Sequence, residues 1–103
     1  MSASDKHKGK NMKQKILAVM DTKSESFLNP ITVKTIGEAE RGFGDEVNNP
    51  QSMMYKHPED FGLYLIGEYD AFTGLIKAES QPKHIASAIN LKRPSGLAPQ
   101  QVQ

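Results

Sequence analysis

Gly62-Leu63-Tyr64-Leu65-Ile66-Gly67-Glu68-Tyr69, then Asp70-Ala71-Phe72-Thr73-Gly74, then Leu75-Ile76-Lys77-Ala78 spells a β-hairpin. Leu63, Leu65 and Tyr69 alternate with Tyr64, Ile66 and Glu68, the two-residue period of a strand. Asp70 suits the start of a turn, and Gly74 supplies the positive φ of a bulged hairpin loop. Leu75–Ala78 then returns antiparallel.

Working upstream, Lys15-Ile16-Leu17-Ala18-Val19-Met20-Asp21 is a short apolar run of strand formers, as expected for a strand buried on both faces. Thr22 to Glu25 reads as a turn. Phe27-Leu28-Asn29-Pro30 is extended, since Pro30 biases Asn29 away from helix, and Ile31 and Val33 add a short edge strand. Thr35-Ile36-Gly37-Glu38 fits a capping box that opens a helix. Ala39, Phe43 and Val47 make its apolar stripe, while Gly42 and Gly44 weaken it by ~1 kcal/mol each relative to Ala. Asn49 and Pro50 start a second short helix, with Met53, Met54 and Tyr55 toward the core and Pro58 as its stop. Downstream of the hairpin, Pro82 opens a last helix over Lys83–Asn90, with Ile85 and Ile89 on one face. The expected fold is α+β: a small three- or four-stranded, mostly antiparallel sheet with two or three helices packed on one face.

The 103 residues allow one domain. Residues 1–14 lack periodicity and read as a basic flexible tail, residues 15–91 as a single α+β domain, and residues 92–103, rich in Pro, Gly and Gln, as a second tail. Met12 is a candidate second start. Cysteine is absent, so disulfides and thiolate zinc sites are excluded. No apolar run approaches the ~20 residues of a membrane span.

A net charge of +1 conceals a basic–acidic–basic layout. The first fifteen residues carry five lysines against Asp5. Residues 16–76 carry ten acids against four bases, and residues 77–103 carry four bases against Glu79. The folded centre therefore repels phosphate, and only the ends attract it. The candidate DNA-contacting residues are Lys6, Lys8, Lys10, Lys13, Lys15, Lys92 and Arg93. One or two of the aromatics Tyr55, Phe61, Tyr64, Tyr69 and Phe72 could offer an exposed face to a base, although core packing accounts for most of them.

Catalytic patterns are missing. His7, His57 and His84 have no helical metal spacing between them. Glu38, Asp70 and the Glu59-Asp60 pair each have a local role as a cap, a turn start or a bend, so no two-metal nuclease site is expected. No phosphate-binding glycine loop follows a strand. Neither an enzyme activity, a metal nor a cofactor is expected.

Several segments together resemble the small nonstructural protein of gokushovirus-type microviruses (Microviridae), single-stranded DNA phages of bacteria. They are Ile16–Asp21 with Lys23, Phe27 and Pro30; Gly37-Glu38-Ala39, Arg41 and Phe43; Val47-Asn48; Pro58-Glu59-Asp60-Phe61, Leu63 and Tyr64; Gly67, Tyr69-Asp70, Thr73 and Gly74; and Pro82 with the expected helix after it. They cover about residues 14–90 in order. The lysine-rich extension before Met12, the tail after Asn90 and His57 in place of an aromatic depart from that pattern. The resemblance implies a DNA-binding or packaging-related phage protein of the infected bacterial cytoplasm, absent from the finished capsid and without catalytic residues. The expected partners are single-stranded DNA, held weakly and salt-sensitively, and a phage or host replication or packaging protein. No membrane is expected among them. The alternative is a protein-interaction module that modulates a host or phage factor without touching DNA. A folded core of ~75 residues is marginal alone, which favours a homodimer.

Overall fold

The computed structural model describes residues 12–94. Strand β1 (Lys13–Asp21) is the axis of the sheet. One edge pairs antiparallel along its whole length with β4 (Phe61–Asp70). The other edge is shared by two short strands: β2 (Ser26–Phe27) against Met20 and Asp21, and β3 (Ile31–Val33) against Lys15 to Leu17. Strand β5 (Leu75–Ser87) pairs with β4 and closes the order β2-β1-β4-β5. The architecture is α+β, a five-stranded antiparallel sheet with its helices packed against it.

Helix α1 (Ile36–Val47) forms where the capping box predicts. The Glu38 amide donates to Thr35 Oγ1 at 3.1 Å. The return bond differs by one residue: the Glu38 carboxylate accepts from the Lys34 amide at 3.2 Å, not from that of Thr35. Ala39, Phe43 and Val47 are all buried, and with Leu17, Phe61, Leu63, Leu65 and Ala88 they make the core.

Helix α2 is one turn, Met53–Lys56, capped by Ser52, whose Oγ accepts from the Met54 amide. The expected cap at Asn49 and start at Pro50 are not used. Asn49 Oδ1 instead accepts from the Gln51 amide, a local side-chain turn that diverts the chain from helix. Met54 packs on the core, whereas Met53 is exposed. A 3₁₀ turn, Pro58–Asp60, leads into β4.

The largest departure lies after the hairpin. Lys83–Ser87 is strand, and only Ala88–Leu91 forms a helical turn, α3. Pairing of Lys83, His84, Ala86 and Ser87 with Leu65, Tyr64, Leu63 and Gly62 satisfies the backbone and buries Ala88, which outweighs a weak 3.6-residue pattern. Pro82 falls where Glu79 to Pro82 loop out opposite Ile66, a bulge that needs no ladder amide from it.

That bulge also changes the alternation. Leu17 faces Leu65, but the neighbouring Ile16 faces Gly67, so Ile66 is an extra residue and the faces exchange beyond it. Tyr69 therefore lies on the opposite face from Leu63 and Leu65, contrary to the simple period. Gly67 is required here: a Cβ would stand 2.9 Å from the Lys77 carbonyl oxygen.

Candidate functional site

Register divides the sheet into two faces. Leu17, Val19, Leu63 and Leu65 face the helices. Ala18, Met20, Tyr64 and His84, in paired positions, face away from them. On this face strand alternation sets up a row of rings. Phe27 and Tyr64 meet edge-to-face at 5.7 Å between centroids, and Tyr64 and His84 at 5.3 Å. Such pairs contribute ~0.5–1.5 kcal/mol each beyond their area. Gly62 leaves room for the row, since a Cβ there would lie 3.2 Å from Tyr64 Cε1. His84 Nε2 lies 2.8 Å from Ser87 Oγ, which orients the imidazole. Phe27 keeps 41% of its surface exposed, Tyr64 is half-buried and His84 is exposed. Three rings, each at least partly exposed, thus follow one another with apolar Met20 and Ala18 beside them.

At one end the row opens onto a hollow of about 150 Å³ whose lining includes Tyr64, His84, Glu59, Asp60 and Ile89. Beside the hollow, Glu59 and Asp60 of its lining meet His57. Donor atoms of His57, Glu59 and Asp60 all lie within 4.8 Å of one another. Pro58 starts the 3₁₀ turn that folds position 57 back over 59 and 60, and the Asp60 carbonyl anchors the turn by accepting from the Thr22 amide and hydroxyl. The signal was present as His-Pro-Glu-Asp. His57 and Glu59 are exposed, and three such donors leave half or more of a cation's coordination shell to water.

The predicted DNA-contacting residues are not gathered. Lys6, Lys8 and Lys10 lie outside the described residues. Lys13 begins β1 and is exposed. Lys15 Nζ is 3.3 Å from the Glu68 carboxylate. Lys92 lies over the Tyr55 ring at 4.1 Å, a cation–π contact, and the Arg93 amide donates to Asn48 Oδ1. Lys13 is thus at the hairpin end of the sheet, opposite Asp70, while Lys92 and Arg93 dock on the helical layer.

Most positions of the family pattern have structural work. Glu38 caps, Phe43 is core, Pro58 opens the 3₁₀ turn, and Asp70 Oδ1 accepts from the Phe72 and Thr73 amides. Gly74 has φ 79°, and Tyr69 is half-buried on β4. Arg41 and Glu59 are exposed, without such a local role. Sequence reasoning did not single out Phe27 or His84 as ring partners of Tyr64. Their pairing depends on β2 and on the strand character of Lys83–Ser87.

No helix among the described residues is long and apolar enough to cross a membrane. Residues 14–91 match the model of a family described as Phage ORF5 protein. No curated protein and no solved structure matches the chain.

Proposed function

Because the chain belongs to the Phage ORF5 protein family, and so is a bacteriophage protein, we propose that it is a non-enzymatic accessory protein of a gokushovirus-type single-stranded DNA phage, acting in the infected cytoplasm on genome replication or packaging by contact with single-stranded DNA. The supporting observation is the row Phe27–Tyr64–His84 on the face of the sheet turned away from the core helices. Bases stack on such rings without regard to sequence, at ~1–3 kcal/mol each. Attraction comes from the basic ends, because residues 16–76 are net acidic. The division of labour is therefore stacking by the fold and phosphate neutralisation by lysines at the chain ends.

The test is a titration of fluorescent oligothymidylate followed by anisotropy. Raising salt from about 50 to 200 mM weakens binding ~50-fold if about four phosphates are neutralised. Tyr64→Ala weakens it by a further ~5–150-fold, the loss of one stacked base. A chain lacking residues 1–11 retains stacking but loses most of the salt dependence. Absence of binding at low salt overturns the DNA reading and transfers the function to contact with a replication protein, the reading supported by the acidic folded centre.

A further inference from the structure

On the helix-covered side, between α1 and the β1–β3 edge, lies a groove of about 330 Å³. Its walls include Val19, Val33, Phe43 and Leu63, and Ile31 at its lip is 48% exposed. The charged side chains along it are Glu38 and Glu46, both acidic. Gly42 holds the groove open. It sits inside α1 at a cost of ~1 kcal/mol relative to Ala, yet a Cβ there would meet nothing within 4 Å, and its φ is not positive. Neither sterics nor backbone demands glycine at this position; a larger side chain would fill the groove.

Two further features complement this groove. Among the described residues the outer edge of β3 has no strand partner, and neither does that of β5. On β5, Leu75 and Ile76 are 70% and 67% exposed, followed by exposed Lys77. The register decides which way these side chains point. Val33 lines the groove and pairs with Lys15, Lys15 with Glu68, and Glu68 with Lys77. Lys77, and Leu75 two residues before it, therefore lie on the groove side of the sheet.

We propose that the groove receives the hairpin of a second copy of this chain: the β5 segment Leu75–Ala78 of one copy adds antiparallel to the β3 edge of the next, seating Leu75 in the groove and Lys77 against its acidic rim. Strand directions allow it. β1 and β5 run one way and β3 and β4 the other, so a β5 antiparallel to a neighbour's β3 leaves the helices of both copies on the same side. The register that sets Leu75 beside Val33 sets Lys77 beside Ile31. Glu38 is tied to the Lys34 amide, at the Val33 end, so Glu46 in the last turn of α1 is the carboxylate for Lys77. The contact is heterologous, with a groove and a hairpin left free at either end of each pair, so association continues past the dimer. It does not depend on DNA contact.

Sedimentation velocity over a concentration series tests this on the full chain. The weight-average mass rises from that of the 11.4 kDa monomer past that of a dimer. Gly42→Leu, Lys77→Glu and Glu46→Lys each hold it at the monomer, and the double variant Glu46→Lys with Lys77→Glu regains association by restoring the pair with its signs exchanged. Gly42→Leu also improves helix propensity, so its thermal unfolding midpoint does not fall, which separates a plugged groove from a misfolded chain. A wild type that stays monomeric, one that stops at a closed dimer, or a Gly42→Leu chain that associates like the wild type overturns the proposal.

Discussion

The two faces of the sheet come from the same strands and the same alternation, yet they end differently. On one, Leu17, Leu63 and Leu65 meet the apolar stripe of α1 and are almost fully buried. On the other, among the described residues, Ile89 of α3 reaches one end, and most of the apolar surface is closed by the side chains of the sheet itself. Ile16 and Ala18 are buried there all the same, while Phe27, Tyr64 and His84 remain open to solvent to differing degrees. The first face is a core whose residues are chosen for volume. The second is a half-built layer, where rings supply area without a lid. Apolar content alone therefore does not mark a core; a second layer does.

The comparison breaks most sharply at Leu63 and Tyr64, adjacent residues on opposite faces. Leu63→Ala is expected to lower unfolding free energy by ~3 kcal/mol, within the usual range for a buried leucine. Tyr64→Ala is expected to cost less, ~2 kcal/mol, about 1 for each of its two edge contacts. Urea unfolding of both variants measures this. Equal losses would mean that the aromatic face is as much a core as the helical one.

Next in size is Gly67, where the faces exchange. Gly67→Ala drives a Cβ against the Lys77 carbonyl and is expected to cost ~2 kcal/mol by overpacking. A neutral outcome in thermal unfolding would show that the bulge at Ile66 relaxes freely. The smallest effect is expected at the Lys15–Glu68 ion pair, whose side chains are 36% and 30% exposed. Lys15→Met should change stability by ~0.5 kcal/mol or less, and the difference should vanish in high salt.

Local rules make much of this molecule legible. Asp70 and Gly74 close the hairpin as their chemistry requires, Thr35 caps α1, and the 39–43–47 stripe is the buried one, because each depends on residues a few positions apart. Lys83–Ser87 escapes those rules for the opposite reason. Its strand exists only because β4 lies beside it, and a single-sequence pattern contains no information about that neighbour. The bulge at Ile66 and Glu79–Pro82 is likewise a property of two strands together, so the placement of Tyr69 is out of reach of a simple period. The candidate site is the least legible part. Lysines at the ends stand out as charge, but the row Phe27–Tyr64–His84 joins three strands, and the His57, Glu59 and Asp60 cluster needs the backward fold of a 3₁₀ turn.

From the chain by itself came the α+β class, the hairpin, the capped helix and a basic–acidic–basic charge layout, all consequences of composition and short-range geometry. Only the tertiary structure decided which apolar residues became core, which rings stayed exposed, and that a groove opened at Gly42 beside the outer edge of β3, which has no strand partner among the described residues. Those outcomes depend on long-range pairing and on where the helical layer ends, and neither is encoded within a few residues of any one position.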